Sequence, residues 1–182
     1  MTVDDTLSLP RILCLHGGGV NGTVFRLQCR AIIAQLGHRF RFVFMDAPYT
    51  SRPHRDIVTV YGDFAPFYRW LAWSREEPGL PPWARAGDVM DATDFTDYPD
   101  PEEAPPRGLH VLRLPTLHVH GLQDPGIQRH RCLLERYCAP ATARLVQWDA
   151  GHRLPVKTAD VKAVVAEVLR LARETGAIPP DT

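Results

Sequence analysis

The stretch RILCLHGGGVNG, residues 11–22, joins a short apolar run to a histidine, three consecutive glycines and an Asn-Gly pair. The apolar residues 12–15 predict a short buried strand. Glycine directly after a parallel strand lets the backbone turn sharply and exposes N–H groups at the carboxyl end of the strand. In open α/β sheets this edge is where ligands bind. A strand followed by a candidate site is therefore the first prediction from this sequence.

A βαβ unit is predicted around this stretch. From Thr23 onward the apolar residues recur at helical spacing, and Gly37 suits the carboxyl-terminal cap of that helix. The run FRFVFM, residues 40–45, is rich in β-forming residues and predicts a second strand. Because a helix separates them, the two strands should be parallel.

The second half of the chain shows the same alternation. Residues 114–121 and 143–149 predict strands, and residues 127–138 predict a helix. Residues 156–175 carry one apolar stripe at helical spacing and predict a longer helix that Gly176 ends. The fold class is therefore α/β, with a mostly parallel sheet flanked by helices.

The middle of the chain departs from this alternation. Residues 66–77, PFYRWLAWSREE, have helical spacing and can form one short helix. Residues 76–113 are rich in proline and acidic residues, with little periodicity, and predict an irregular or lid-like segment. A disordered linker is the alternative, although this segment contains apolar residues that it could bury.

Length and composition bound the class of protein. A chain of 182 residues predicts a single domain over residues 1–182. Basic and acidic residues number 21 each, so no nucleic-acid or anionic-membrane partner is expected. No segment is long and apolar enough to span a membrane. The polar, acidic first ten residues are unlike a signal peptide, so we expect a cytoplasmic protein whose four cysteines are reduced core thiols.

The glycine stretch allows three interpretations. A phosphate-binding loop is disfavoured because HGGGVNG matches neither the dinucleotide-binding fingerprint nor a Walker loop. An oxyanion loop of the lipase and esterase kind would use backbone N–H groups to stabilise a developing negative oxygen. The third interpretation is a tight structural turn.

Two later stretches favour the oxyanion interpretation. Asp124 in HGLQDPG and His152 in DAGHRLP each follow the end of a predicted strand. The order acid, then histidine, is that of the α/β-hydrolases. In that arrangement the carboxylate of Asp124 would hold the His152 imidazole in one tautomer and stabilise its protonated form.

Five blocks of the sequence resemble the fungal serine hydrolase family of α/β-hydrolases. The resemblance covers most of residues 11–175 except residues 76–113, and it implies an esterase or thioesterase ancestry, often beside polyketide synthases. It implies Asp124 as the triad acid and His152 as the triad base. It implies the region of Gly17 to Gly19 as the oxyanion loop. The candidate oxyanion and substrate-binding residues are His16, Gly17, Gly18, Gly19, Val20, Asn21, Tyr49 and Tyr68. The five blocks are ILCLHGGGVNGTVFRLQCRAI, FRFVFMDAPY, GDFAPFYRWL, LPTLHVHGLQDPGIQRHRCLLERYC and ARLVQWDAGHRLPVKT.

The chain departs from the family pattern at the nucleophile. The family places a G-x-S-x-G strand end before the block that contains Asp124, and no such motif occurs in this sequence. The three serines are Ser8, Ser51 and Ser74, and none has glycines around it that would permit a strained strand-to-helix elbow. The sequence therefore predicts a shortened form that lacks the central nucleophile strand, with residues 76–113 in its place.

Loss of central strands would leave two pairs of strands with open apolar edges, which is an aggregation hazard. The two pairs could join directly, or residues 110–114 with the proline-rich segment could cover the gap. Association of two chains could also cover it, and we favour a homodimer because a halved core exposes apolar surface.

The predicted function is acid–base catalysis by Asp124 and His152 without the usual serine, as in a cyclase, dehydratase or isomerase. The substrate would be a polyketide-like small molecule in an apolar pocket. The aromatic residues that could line this pocket are Tyr49, Tyr61, Phe64, Phe67, Tyr68, Trp70, Trp73 and Trp83. A residual esterase or thioesterase and a non-catalytic binding or scaffold subunit are the alternatives. No cofactor or metal is expected. A three-histidine zinc site is the alternative, because His118 and His120 alternate on a strand and so face the same side, and His16 and His152 could lie close.

Overall fold

The computed structural model describes residues 5–53, 55–70 and 111–180. These residues form two compact units. The glycine-loop unit contains residues 11–30, 40–53 and 55–70, and the carboxyl-terminal unit contains residues 5–10, 31–39 and 111–180. The strands are β1 (Arg11–Leu15), β2 (Arg41–Met45), β3 (Tyr49–Thr50), β4 (Tyr68–Arg69), β5 (Thr116–Gly121) and β6 (Ala143–Trp148). The α-helices are α1 (Gly22–Gln28), α2 (Arg30–Leu36), α3 (Arg55–Tyr61), α4 (Ile127–Tyr137) and α5 (Thr158–Glu174).

The predicted βαβ unit is present. Strands β1 and β2 are parallel, with Arg11 opposite Arg41 and Leu15 opposite Met45. The connection contains two helices rather than one, because α1 ends at Cys29 and α2 begins at Arg30. In the glycine-loop unit, α1 packs on β2 through an edge-to-face contact between two aromatic rings whose centroids are 5.7 Å apart.

The helix predicted over residues 66–77 is wrong at its start. Tyr68 and Arg69 form β4, which pairs antiparallel with Thr50 and Tyr49 of β3. The N–H of Tyr68 also donates to the carbonyl of Val20 at 2.8 Å. These pairings provide hydrogen-bond partners for the extended backbone of residues 68–69. The contacts with distant segments therefore outweigh the local preference for a helix. Residues 71–77 lie outside the described residues, as does most of the predicted irregular segment.

The carboxyl-terminal unit contains the second predicted pair of strands. Strands β5 and β6 are parallel over their whole length, from Thr116 opposite Ala143 to Gly121 opposite Trp148. Helix α5 buries Val161, Val164 and Ala172 of the predicted stripe.

Gly176 ends α5 as predicted. Gly176 has φ +73° and its N–H donates to the carbonyl of Arg173, while the N–H of Ala177 donates to that of Ala172. This pair of hydrogen bonds is the Schellman arrangement, in which glycine tolerates the left-handed conformation.

Among the described residues, the strands form three two-stranded sheets, two parallel and one antiparallel. This confirms a mostly parallel α/β fold with helices beside the strands. Leu112, from the segment expected to cover the gap, bridges Cys138 after α4. Apolar side chains on β1 remain exposed, with Leu13 at 61% and Leu15 at 53%. The single domain and the homodimer stay predictions.

The cysteines are free, and three of them, Cys14, Cys29 and Cys138, are buried. Of the helices in the described part of the chain, none combines the length and apolarity that crossing a membrane requires.

Candidate active site

Two neighbouring loops of the carboxyl-terminal unit carry Asp124 and His152. The Asp124 loop follows β5 and the His152 loop follows β6, so the parallel pairing of these strands places both loops at one edge. The loops are also bonded to each other. The N–H of Gln123 donates to the carbonyl of Ala150 at 2.9 Å, and the Gln123 side-chain amide donates to Asp149 Oδ1 at 2.7 Å.

The carboxylate of Asp124 contacts His152 directly. Asp124 is only 6% exposed, and its Oδ1 accepts the N–H of Gly126 at 2.7 Å, an Asx turn that fixes the carboxylate plane. Its Oδ2 lies 2.7 Å from His152 Nδ1. A carboxylate accepts, so Nδ1 carries the proton and Nε2 is the free nitrogen of neutral His152. The imidazole is 69% exposed, which makes Nε2 accessible to a substrate.

Opposing effects act on the pKa of Asp124. Burial alone would raise this pKa, but the hydrogen bonds from Gly126 and His152 and the charges of His152 and His130 lower it below its usual value. The folded state therefore favours the carboxylate, which is the form that orients an imidazole.

Because the pKa of Asp124 is lower in the folded state, its ionisation stabilises the fold above the unfolded pKa of about 3.9. This contribution is lost as the pH falls through the folded-state pKa. We expect the difference in unfolding free energy between the wild type and Asp124→Asn to shrink between neutral pH and about pH 3. Urea unfolding at both pH values measures it, and a difference that stays constant across this range would contradict the assignment.

His152 is the last of four histidines whose rings lie in a row. The rings of His118, His120, His130 and His152 follow one another with centroid distances of 5.9, 5.5 and 6.4 Å. His118 and His120 face the same side of β5, as their alternation predicted. Burial lowers the pKa of both, and the pKa of His120 is lowered further by the charge of His130.

His130 was missed by sequence reasoning. It lies on α4, and its Nε2 is 4.0 Å from Asp124 Oδ2. Gly126 begins this helix, so His130 stands one helical turn further on, above the Asp124 carboxylate. The spacing of an aspartate, a helix start and a histidine six residues later is the signal that could have identified it.

His16 has a structural role in the glycine-loop unit. Its Nε2 accepts the N–H of Ala47 at 3.1 Å, and its Nδ1 donates to the carbonyl of Gly17 at 2.7 Å. Trp70 Nε1 donates to the His16 carbonyl at 2.7 Å. The imidazole is buried, and both of its ring nitrogens form hydrogen bonds within this unit. Its role is therefore to stabilise the glycine loop. His118, His120 and His152, the other histidines of the zinc alternative, belong to the carboxyl-terminal unit.

The three glycines differ in what their amides do. Gly19 has φ +73°, which favours glycine, and its N–H donates to the carbonyl of Tyr68 at 3.0 Å. Gly17 and Gly18 are exposed, and no hydrogen bond within the described residues occupies their N–H groups. The amides available as oxyanion donors are therefore those of Gly17 and Gly18. Val20 is buried in a small core with Val24 and Phe67.

Asn21 joins the loop to two neighbouring segments. Its Oδ1 accepts the N–H of Val24 at 2.8 Å and caps α1, while its Nδ2 donates to the carbonyls of Phe64 at 2.6 Å and Pro66 at 2.9 Å. The side chain uses both of its functional ends in these contacts.

We expect Asn21→Asp to destabilise the protein by about 1–3 kcal/mol. Aspartate keeps the cap on Val24 but places a carboxylate oxygen against two carbonyl oxygens. Gln35→Glu, which adds the same charge at an exposed position, is the control. Thermal unfolding of the three proteins tests this, and equal stability of the two variants would show that the amide donors contribute nothing.

The remaining predicted site residues lie near the glycine loop. Tyr49 is exposed in β3, and Tyr68 is partly buried in β4. Phe67 belongs to the core of its unit, with Tyr61 packed against it. Trp73 and Trp83, expected to line a substrate pocket, lie outside the described residues.

A covalent nucleophile is not evident among the described side chains. Ser51 Oγ donates to the carbonyl of Arg52. Burial, with a smaller effect from Cys14, raises the pKa of Cys29 to about 12, so Cys29 remains a thiol at neutral pH. Ser74 lies outside the described residues.

Parallel strand pairs, a glycine loop after the first strand and an Asp–His pair at the ends of later strands define the α/β-hydrolase class. The family model described as "Serine hydrolase (FSH1)" matches residues 6–97 and 87–164. The chain belongs to this serine hydrolase family.

Curated relatives from fungi agree with this membership. The esterase claE of Penicillium crustosum is 34% identical, over 96% of this chain and 97% of the relative. The esterase pigG of Monascus ruber is 34% identical, over 96% of each chain. The esterase mpl1 of Monascus purpureus is also 34% identical, over 96% of this chain and 80% of the relative. No solved structure matches the chain.

The comparisons also show that the chain is a shortened form. The alignment with claE extends over 258 residues, whereas this chain has 182, so residues of claE inside the aligned region have no counterpart here. The family model matches in two stretches of the chain that overlap at residues 87–97. The chain thus retains the beginning and the end of the family pattern and lacks an internal part.

Proposed function

We propose that this chain is an enzyme of hydrolase ancestry that uses His152 as a general base and acid, with Asp124 as its orienting carboxylate. The observation that carries the proposal is the 2.7 Å contact between His152 Nδ1 and the buried Asp124 Oδ2, beside an exposed imidazole. This geometry is sufficient for proton transfer, and it does not need a serine.

The reaction class proposed is proton transfer next to a carbonyl group, as in a cyclase, dehydratase or isomerase. His152 Nε2 removes a proton from the carbon beside the carbonyl, and the electron pair of that C–H bond forms an enolate. The Asp124 carboxylate stabilises the imidazolium, which returns the proton at another position. A polyketide-like substrate, rich in such acidic carbons, suits this chemistry.

Ester hydrolysis is the second candidate, and the names of the relatives favour it. Without a serine in the G-x-S-x-G motif, His152 would have to activate a water molecule that attacks the ester directly. The products would be the acid and the alcohol, with no acyl-enzyme.

Two assays separate the candidates. In D₂O, NMR would follow exchange of the acidic protons of a β-ketoacyl N-acetylcysteamine thioester, and the proposal expects the protein to accelerate it. A p-nitrophenyl ester and a fluorophosphonate probe test the hydrolase alternatives. Exchange without probe labelling supports the proposal. Labelling with ester turnover would identify a residual serine hydrolase, and neither exchange nor turnover would favour a binding or scaffold subunit.

A further inference from the structure

We propose that Asp124, His130 and His152 form a binding site for a divalent transition-metal ion of the zinc type. One ligand atom from each of these three side chains lies within 4.8 Å of the other two. All three belong to the carboxyl-terminal unit, where β5, α4 and β6 position them. One carboxylate and two imidazoles are a donor set that zinc accepts, with a fourth position left for water.

The distances require only small movements. Ligand atoms on a tetrahedral zinc ion, with bonds of about 2.0–2.1 Å, are separated by about 3.3 Å. His152 Nδ1 lies 2.7 Å and His130 Nε2 lies 4.0 Å from Asp124 Oδ2. These two pairs therefore differ from the required separation by less than 1 Å, and all three ligand atoms lie within 4.8 Å of one another. The His152 side chain is exposed and that of His130 is partly exposed, so both have room to adjust.

The carboxylate is already fixed as a ligand should be. Asp124 Oδ1 is held by the N–H of Gly126 at 2.7 Å, so Oδ2 is the oxygen presented to both histidines. A hydrogen bond that orients a ligating carboxylate is a usual support of metal sites. The cluster is closely packed around Gly126, since an added Cβ would lie 3.1 Å from His130 Nε2 and 3.3 Å from Asp124 Oδ1.

An unpartnered buried nitrogen beside the cluster is an independent observation. His120 is 2% exposed, and its Nδ1 has no hydrogen-bond partner among the described residues. Its ring stacks edge-on against His130, with centroids 5.5 Å apart. Buried polar atoms without partners are rare, and an ion or a water molecule is one of the explanations for them. On this side of the cluster, one buried nitrogen therefore lacks a hydrogen-bond partner from the described residues.

A bound ion would have a consequence for the activity proposed above. The ion would bind Nδ1 of His152, and the proton on Nδ1 would move to Nε2. Nε2 would then have no lone pair to accept a proton, so proton transfer by His152 would stop. This inhibition rests on the proposed function, whereas metal binding does not. Binding is therefore measured directly and first.

The test is titration of the untagged, metal-free full chain with Zn²⁺ by calorimetry, followed by Co²⁺ absorption spectra. We expect one equivalent of zinc, and His130→Ala should lower its affinity by at least the roughly 10–100-fold typical of lost metal-site partners. His38→Ala, an exposed histidine elsewhere, should leave the affinity unchanged. The Co²⁺ spectrum should show d–d bands without sulfur charge-transfer bands, which excludes Cys132 and Cys138 as ligands.

Equal zinc affinity in the wild type and His130→Ala would overturn the proposal, as would thiolate bands in the Co²⁺ spectrum or no binding at all. If His130→Ala does not fold, His130→Gln keeps the side-chain volume and serves the same comparison. Zinc should also slow proton exchange in the wild type. Binding without this effect would leave the metal site standing and count against the proposed function of His152.

Discussion

His152→Ala is expected to lower the rate of proton exchange by roughly 10²–10⁴-fold, the range that positioned acid–base groups contribute. The side chain is the accessible end of the pair, since His152 is 69% exposed and Asp124 is 6% exposed. Without the imidazole, the carboxylate of Asp124 stays in its buried Asx turn and cannot reach a substrate that the exposed ring would meet. The NMR exchange assay in D₂O measures the loss.

The matched control is His38→Ala, which removes an exposed imidazole that has no part in the pair. The His38→Ala protein should catalyse proton exchange at the wild-type rate. A loss seen only in His152→Ala would then be specific to His152 and not a general effect of removing an exposed imidazole. Because His152 Nδ1 is the hydrogen-bond donor to the buried Asp124 Oδ2, its replacement should also lower the unfolding free energy by about 1–3 kcal/mol, so exchange is measured under conditions in which both variants are folded. Exchange at the wild-type rate in a folded His152→Ala protein would remove His152 from the mechanism.

Orientation by Asp124 is separable from the base itself. Asp124→Asn keeps the size of the side chain, but its amide offers a donor as well as an acceptor to His152 Nδ1, so the preferred tautomer is lost. The unfolding experiment at two pH values, predicted above for this variant, tests the charge of the same carboxylate without a substrate.

Long regular elements were predictable from the sequence because their side chains repeat a pattern. Strands β1, β2, β5 and β6 carry apolar runs, and α5 carries a buried stripe that ends at Gly176. Helix α3 was missed because none of its residues is fully buried, and only Ile57 and Tyr61 pack against the core, which is too few for a recognisable stripe. Strands β3 and β4 have two residues each, which is too short for any period, and their pairing depends on segments distant in sequence.

The candidate site was predictable only in part, for a related reason. Asp124 and His152 follow adjacent parallel strands, and the geometry of such strands brings their ends together whatever the intervening chain does. His130 approaches Asp124 only because α4 begins directly after the Asx turn. Gly121 reads as an ordinary strand end, although it is the position where two loops cross most closely.

Gly121→Ala is expected to disturb stability and activity together. Gly121 ends β5, three residues before Asp124. An added Cβ would lie 2.5 Å from the carbonyl oxygen of Ala150 and in contact with that of Gly151. Both obstacles are backbone atoms, so the methyl group is accommodated only if the loop that carries His152 moves.

We expect Gly121→Ala to cost about 1–3 kcal/mol of unfolding free energy, the usual range for overpacking. Moving the loop by about 1 Å should also slow proton exchange by roughly 100-fold, because proton transfer depends on the position of the base. Urea unfolding and the D₂O exchange assay measure the two effects on the same protein.

The control for Gly121→Ala is Gly151→Ala, because Gly151 belongs to the loop that Gly121 approaches. A Cβ on Gly151 would lie 3.7 Å from the carbonyl oxygen of Gln123, an ordinary van der Waals distance. Gly151→Ala should therefore change stability by no more than about 0.5 kcal/mol. If both variants lost the same stability, the cause would be glycine replacement in general. A large loss in Gly121→Ala alone identifies the close approach of the two loops as the feature that sets the distance between Asp124 and His152.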